Sequence, residues 1–145
     1  MAALAALFGG GALTGASAQP AQGIEGLWRL GGTFMGNPLP PNFNFFAPGG
    51  MLVNVPPDAR GRTIGIGHWV RTGDRMFETT IWLMRFTEAG ALDGTTKLQG
   101  RIDLHESGET YRSAVKGTLF NLAGNVVNNI EASVEATRLN PEPFA

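Results

Sequence analysis

The sequence contains no cysteine, which excludes disulfide bonds, thiolate catalysis, cysteine-ligated zinc and iron–sulfur clusters. Its two histidines, His68 and His105, lie far apart along the chain, so a histidine-rich metal site is not expected. Positive charge is not in excess, because 11 Lys and Arg residues stand against 12 Asp and Glu residues and form no positive run. Nucleic acid is therefore not an expected partner, since phosphates are bound by a clustered positive face.

The N-terminal residues have the composition of a targeting segment. Residues 1–13 are small and apolar but too few to span a bilayer, and they contain no Lys or Arg ahead of the apolar core. Ala16 and Ala18 then supply the small-x-small pattern of a cleavage site. We predict a secretory signal peptide over residues 1–18, a single domain over residues 19–145, a periplasmic or secreted location and no stable membrane insertion after cleavage. The alternative is an apolar N-terminus on a cytosolic protein.

From Gly26 onward, apolar and polar residues alternate and are interrupted by Gly, Pro, Asn and Asp. A period of two is typical of strands, and no segment after the predicted signal peptide keeps the helical period of 3.6. The 21 glycines and 9 prolines favour many turns between short elements. The pattern predicts about eight antiparallel strands that close into an up-and-down β-barrel, because closure removes exposed sheet edges.

The same alternation predicts which side chains face the barrel interior. In the segment "TIGIGHWV" the predicted inward residues are Ile64, Ile66, His68 and Val70. In the last three strands the predicted inward sets are Leu98, Gly100, Ile102 and Leu104; Tyr111, Ser113, Val115, Gly117 and Leu119; and Ile130, Ala132, Val134, Ala136 and Arg138. Several of these residues are small, which favours an internal cavity. The alternative is that the small residues only accommodate strand coiling and bulky partners opposite.

Trp28 lies near the start of the first predicted strand, and Arg138 lies near the end of the last. In a closed meander these two strands are antiparallel neighbours, so both residues are expected at one closed end of the barrel. A guanidinium over an indole ring contributes ~0.5–2 kcal/mol. Gly26 is expected to let the entering chain pass closely beneath the barrel floor.

The combination of Gly26-Leu27-Trp28 with Arg138 resembles the calycins, the superfamily of lipocalins and fatty-acid-binding proteins. The later stretches "GHWVRTGDRMFETT" and "AGNVVNNIEASVEATRL" look like those of small bacterial lipocalin-like proteins. The resemblance implies a barrel with a plugged bottom, an open mouth and an interior site for an apolar ligand. An allene-oxide-cyclase-like barrel, which hosts cyclases that use no cofactor, is the alternative with the same strand count.

Aromatic residues are the first candidates for ligand binding. The first and third predicted strands are joined by "MGNPLPPNFNFFAPGG", which we expect to form a lid over the mouth. Its Phe43, Phe45 and Phe46 either touch the ligand or fill the top of the core. Trp82, in the long apolar strand "MFETTIWLMRF", is a further candidate for contact with the ligand.

Four polar residues are candidates for hydrogen bonding or proton transfer. His68, if inward, is a general base, a group that orients a polar ligand head, or a core residue with a satisfied hydrogen bond. Tyr111 and Ser113 are expected to bond a ligand carbonyl or hydroxyl, or each other. Glu78 is an acid–base candidate if it is inward and desolvated, and an ordinary surface charge if it is outward.

The strand "MFETTIWLMRF" is apolar on both faces, which cannot both line one cavity. One face is therefore expected outside the barrel, covered by another subunit, and we predict a homodimer.

No nucleophile motif, phosphate loop or metal-ligand spacing is present, and no cofactor is expected. The sequence supports three hypotheses: a carrier of a small apolar or amphipathic ligand, a cofactor-independent cyclase or isomerase that uses His68, Glu78 or Tyr111, and a structural barrel with a filled interior.

Overall fold

The computed structural model describes residues 23–57 and 61–144, and its strands form a single sheet. The strands are β1 (Gly26–Phe34), β2 (Asn37–Pro38), β3 (Asn42–Ala47), β4 (Met51–Val55), β5 (Gly65–Arg71), β6 (Met76–Phe86), β7 (Leu92–Leu104), β8 (Thr110–Asn121) and β9 (Val126–Leu139). Over the described ranges there is no helix long and apolar enough to cross a membrane. The predicted signal peptide lies outside the described residues.

The sheet closes on itself through the pairing of β1 with β9. Its order is β2-β1-β3-β4-β5-β6-β7-β8-β9, and neighbouring strands are antiparallel. The two-residue strand β2 only extends the edge of β1, so the remaining eight strands form an up-and-down β-barrel. The fold class predicted from the alternation of the sequence is confirmed.

Turn chemistry explains why the chain reverses where it does. Between β3 and β4 the sequence reads "APGG", and Gly49 and Gly50 have φ angles of 84° and 90°. Glycine adopts such positive φ angles without the steric cost that a Cβ imposes. The resulting hairpin places the end of β3 and the start of β4 at the same end of the barrel as the start of β1.

This end of the barrel is closed by aromatic packing, and we call it the floor. The rings of Trp28 and Tyr111 have centroids 4.8 Å apart, and the ring of Phe46 meets that of Tyr111 at 6.2 Å. Ile24 lies fully buried under the barrel, and its carbonyl accepts a hydrogen bond of 2.8 Å from Trp28 Nε1. Together these contacts seal the end at which the chain enters the barrel.

The predicted contact between Trp28 and Arg138 is confirmed. The two residues are paired across β1 and β9, and Arg138 Cζ lies 4.3 Å from the centroid of the Trp28 indole. Gly26 has a φ of 117°, and a Cβ at this position would lie 3.2 Å from Arg138 Nη1. Gly26 therefore suits both the turn of the backbone and the close approach of the guanidinium, as expected from the sequence.

The predicted orientation of β5 is wrong, because Ile64, Ile66, His68 and Val70 lie on the outer face and are exposed. The inner face carries Gly65, Gly67 and Trp69 instead. A Cβ on Gly65 would lie 2.6 Å from Ile81 Cγ2, and one on Gly67 would collide with the carbonyl oxygen of Thr80. The close approach of β6 on the inner side thus requires glycine at these positions, and the larger apolar residues are left outside.

Candidate functional site: the barrel interior

The barrel encloses a cavity of about 800 Å³, which is within the usual range for small-molecule sites. The cavity ends at the aromatic floor, and its mouth lies at the opposite end of the barrel, where β6 connects to β7 and β8 connects to β9. Most of the wall is apolar, formed by Leu30, Ile81, Leu83, Leu98, Ile102, Val115, Leu119, Ile130 and Val134. The alternation predicted for the last three strands is confirmed by the residues that they contribute to this wall.

The small residues of these strands have different effects on the space. Gly100 lies on the inner face, and a Cβ there would lie 2.6 Å from Thr79 Oγ1 and 3.1 Å from Ser113 Oγ. Gly117 makes room for a neighbour, because a Cβ there would lie 2.8 Å from Ile130 Cδ1. Ala132 lines the cavity without reaching across it. The small residues therefore leave room for a cavity at Ala132 and accommodate bulkier neighbours at Gly100 and Gly117.

The buried polar side chains among the described residues all line this cavity: Asn42, Asn44, Asn54, Thr79, Thr96 and Ser113. The described residues contain no fully buried side-chain nitrogen or oxygen that lacks a hydrogen-bond partner. Burial of polar groups is costly unless they are hydrogen-bonded, so such a set is expected to form a network. The cavity thus has a largely apolar wall, with Thr96 toward its mouth and the other buried polar residues closer to its floor.

A chain of hydrogen bonds connects three of these residues near the floor. Asn54 Nδ2 donates to Asn44 Oδ1 at 2.7 Å, and Asn44 Nδ2 donates to Tyr111 Oη at 3.3 Å. Asn54 Nδ2 also lies 3.3 Å from the carbonyl oxygen of Phe43, which it can bond. These contacts determine which atom of each amide is the oxygen, and they direct the donors in sequence toward the Tyr111 hydroxyl.

Tyr111 is the only tyrosine of the chain, and only 2% of its surface is exposed. Burial raises the pKa of Tyr111 well above its usual range, because the charged phenolate would be desolvated, and the hydrogen bond from Asn44 opposes this only in part. The hydroxyl is therefore neutral at physiological pH. Asn44 occupies one acceptor position of Oη, so the phenolic proton is available to an acceptor in the cavity.

A cation, Arg85, lies at the mouth, and the sequence pattern gave no reason to single it out. Arg85 donates to the carbonyl oxygens of Thr95 at 2.7 Å and Phe120 at 3.1 Å, and to Thr96 Oγ1 at 3.1 Å. It also forms an ion pair of 3.5 Å with Asp93. Both strand irregularities near the mouth, at Arg85/Phe86 and Leu119/Phe120, lie beside this guanidinium. Arg85 thus holds together the rim of β6, β7 and β8.

Two of the residues proposed for proton transfer do not reach the cavity. His68 lies on the outer face of β5 and is exposed, for the packing reason given above. Glu78 also faces outward and pairs with Arg101 on β7 at 3.3 Å. Its side chain is 48% exposed, so it is an ordinary surface charge rather than a desolvated acid. Tyr111 and Ser113, in contrast, both lie on the inner face of β8 and line the cavity as predicted.

The aromatic residues predicted to touch a ligand are also placed differently. Phe43 and Phe45 face outward from β3 and are exposed, because side chains alternate along a strand and Asn42 and Asn44 take the inward positions. Trp82 faces outward from β6 and is also exposed. Phe46 faces inward, but it lies in the floor, fully buried against Trp69 and Tyr111. The predicted lid is therefore wrong for residues 42–47, which form a wall strand.

The part of the predicted lid that precedes β3 does lie at the mouth. Met35, Leu39 and Pro40 line the cavity there, and Leu39 N donates to the carbonyl oxygen of Gly32 at 2.9 Å.

Sequence reasoning missed the asparagines of β3 and β4, although a signal was present. In "NFNF" and "MLVNV", Asn42, Asn44 and Asn54 occupy strand positions where a polar residue alternates with apolar ones.

The described residues contain no group of three or more His, Asp or Glu side chains that could hold a metal ion. No protein-family model matches the chain, and the comparisons with curated proteins and with solved structures also find no match.

Proposed function

We propose that the protein is an exported, calycin-like carrier that binds a small amphipathic molecule inside its barrel. The observation that carries the proposal is the cavity of about 800 Å³, whose wall is apolar and whose floor bears hydrogen-bonding groups. A binding site of this kind typically combines a large apolar surface with a few polar groups that orient the ligand. The aromatic floor and the Trp28–Arg138 contact are consistent with calycin membership.

The cavity favours a carrier over a structural barrel with a filled interior. The outward positions of His68 and Glu78 favour a carrier over a cofactor-independent cyclase or isomerase, because neither side chain reaches the cavity. Tyr111, the remaining candidate for proton transfer, has a raised pKa and serves better as a neutral hydrogen-bond donor than as a base. The small apolar N-terminal residues and the Ala16-x-Ala18 pattern support export to the periplasm or beyond.

The first test is native mass spectrometry of the protein purified from a bacterial periplasmic extract, compared with the denatured protein. A carrier is expected to show an additional mass that disappears on denaturation. The matched variants are Ala132→Trp, which places an indole in the cavity, and Ala114→Trp, which places it on the exposed outer face of the neighbouring strand.

The additional mass should be lost in Ala132→Trp and retained in Ala114→Trp. If the native protein carries no ligand and takes up none of a panel of long-chain alcohols, ketones and acids, the carrier function is wrong. If Ala132→Trp retains the ligand, the molecule is bound elsewhere and the interior site is wrong.

A further inference from the structure

We infer that the ligand is uncharged at its inner end and is bound there through a carbonyl or hydroxyl oxygen that accepts a hydrogen bond from the Tyr111 hydroxyl. This inference rests on the proposed interior site and adds the chemical class of the ligand and its direction of insertion. It follows from the hydrogen-bond chain Asn54–Asn44–Tyr111, which ends at a hydroxyl on the cavity floor.

The direction of donation in this chain decides what the floor can bind. Each amide donates toward Tyr111, and each donor–acceptor pair polarises the next, which strengthens the terminal donor. Asn54 donates to Asn44 Oδ1 and to the carbonyl oxygen of Phe43, and Asn44 uses one of its two N–H groups on Tyr111 Oη. The groups left near the end of the chain are therefore donors, and the terminal one is the phenolic hydrogen. A ligand oxygen with a lone pair is the complement of this group, whereas a ligand ammonium or a purely apolar end would leave the donor unpaired.

A carboxylate is not the expected inner end, because no cation lines the cavity at the floor: Arg138 lies beneath the Trp28 indole and donates to backbone carbonyl oxygens there. The polar residues around the floor are amides and hydroxyls, and the cations that line the cavity, Arg62 and Arg85, lie at the mouth. Arg85 donates to the carbonyl oxygen of Phe120, which lies nine positions after Tyr111 on β8, roughly 30 Å along the strand. An anion at the floor would therefore be desolvated without a partner.

Two hydroxyls extend the polar surface upward from Tyr111. Thr79 and Ser113 approach the space over Gly100 from the two neighbouring strands, since a Cβ there would lie 2.6 Å and 3.1 Å from their oxygens. Above them the wall is apolar. The ligand is thus expected to have one oxygen-bearing end and an extended apolar body that points to the mouth.

The test compares tridecan-2-one with dodecanoate, two probes that share a carbonyl and an undecyl chain and differ in a methyl group and an ionised oxygen. Binding is measured at pH 7 by displacement of an uncharged polarity-sensitive dye. We expect the ketone to bind at least about tenfold more tightly than the carboxylate. Tyr111→Phe, which keeps the ring in the floor, should weaken ketone binding by about threefold to tenfold and leave dodecanoate binding unchanged.

Comparable or tighter binding of dodecanoate, together with ketone binding that is unchanged in Tyr111→Phe, would overturn this inference while leaving the interior site intact. Sensitivity of dodecanoate to Arg85→Met would then place the polar end at the mouth. If neither probe displaces the dye, and Ala132→Trp does not reduce dye binding, the interior site itself is wrong.

A second inference rests on the outside of the barrel and is independent of the ligand. The outward residues of β3, β4, the β5 region and β6 form one apolar surface, which we call the outer apolar wall: Phe43, Phe45, Met51, Val53, Val55, Ile64, Ile66, Val70, Trp82 and Met84. Strand register places Phe45, Val53, Ile66 and Trp82 side by side in one row. Ile66 is 57% exposed and Trp82 is 47% exposed.

We propose that a second copy of this chain covers the outer apolar wall. Its side chains, most of them about half exposed, present on the order of 800 Å² of apolar surface, which is what each partner of a standard interface buries. Residues 42–57 and 63–70, which supply all of this wall except its two β6 residues, contain no Asp, Glu, Lys or Arg. The charges at its β6 edge are of both signs, Glu78 and Lys97, so two copies of the wall can face each other without a repulsive excess of one charge.

The test is the molar mass in solution, measured by light scattering at micromolar concentration. We expect a dimer for the native protein, a monomer for Ile66→Lys, and a dimer for the control Ala114→Lys on the outer face of β8. Since Ile66 is exposed, its replacement should leave the melting of the monomer intact. A native monomer, or an Ile66→Lys dimer of unchanged stability, would overturn the proposal. Monomers that bind neutral phosphatidylcholine vesicles would show a lipid occupant instead.

Discussion

Arg138 donates a hydrogen bond of 2.6 Å to the carbonyl oxygen of Gly23, a residue 115 positions earlier in the chain. The same guanidinium donates to the carbonyl oxygens of Glu25 at 2.6 Å and Gly108 at 2.8 Å. Partial burial lowers the pKa of Arg138, and the charge of nearby Glu109 opposes the shift. The Arg138 side chain, which lies beneath the Trp28 ring, thus connects residues 23–25 and the β7–β8 turn to β9 through hydrogen bonds.

Replacement of Arg138 should therefore destabilise the fold. Arg138→Leu removes three hydrogen bonds to carbonyl oxygens and the contact with the indole, so we expect a loss of about 2–4 kcal/mol in the free energy of unfolding. Arg112→Leu is the control, because Arg112 is exposed and its contact with Glu135 is 3.7 Å, and a change below about 0.5 kcal/mol is expected. Urea denaturation measures both values, and equal losses would refute the role of Arg138.

Trp28→Phe should also be destabilising, by about 1–3 kcal/mol. The variant loses the hydrogen bond from Nε1 to the carbonyl oxygen of Ile24 and part of the packing in a fully buried site. Trp82→Phe is a matched control, since Trp82 is exposed on the outer face of the monomer. The comparison is made by thermal melting at low protein concentration, and an unchanged melting temperature for Trp28→Phe would show that the floor does not depend on the indole.

Gly67→Ala should impair folding, although it adds only one methyl group. The added Cβ would collide with the carbonyl oxygen of Thr80 and lie 2.8 Å from Ile81 Cα, neither of which is a flexible group. We expect a loss of about 2 kcal/mol or more. Gly31→Ala provides the control, because a Cβ at Gly31 meets nothing within 4 Å. Soluble yield and chemical denaturation report both effects; a native-like Gly67→Ala protein would mean that β5 and β6 can separate at little cost.

The raised pKa of Tyr111 predicts a loss of stability at high pH. Unfolded Tyr111 releases its proton near pH 10, whereas folded Tyr111 retains it to higher pH, so above about pH 10 the unfolded state binds fewer protons. The free energy of unfolding must then fall as pH rises from about 10 toward the pKa of the folded state. Absorbance at 295 nm follows this transition without interference from other tyrosines, because the chain has one.

Tyr111→Phe separates this effect from the titration of lysine and arginine. The variant should lack the part of the decline in stability that Tyr111 contributes above about pH 10. Tyrosinate absorbance that develops near pH 10 in the folded native protein would instead show that the hydroxyl is accessible to water and not buried in the floor.

The barrel and its inner residues on β7, β8 and β9 were predictable from the sequence, because these strands alternate between apolar or small residues and charged ones. On β3 and β5 the rule that apolar residues face inward led to the wrong face. The apolar residues of these strands form the outer wall, while the cavity accepts Asn44 and the crowded inner surface requires Gly67. Hydropathy alone does not distinguish a buried core from an apolar surface on the outside.

The sequence by itself determined the number of strands, their turns and the pairing of the first strand with the last, because alternation and turn residues are local properties of the chain. Only the tertiary structure decided which faces of β3 and β5 turn to the cavity and which groups meet there. Asn54 lies 10 residues from Asn44, and Asn44 lies 67 residues from Tyr111, so their hydrogen-bond chain exists only when β3, β4 and β8 converge on one floor. Such contacts depend on strand neighbours and on the space between facing walls, which no local pattern records.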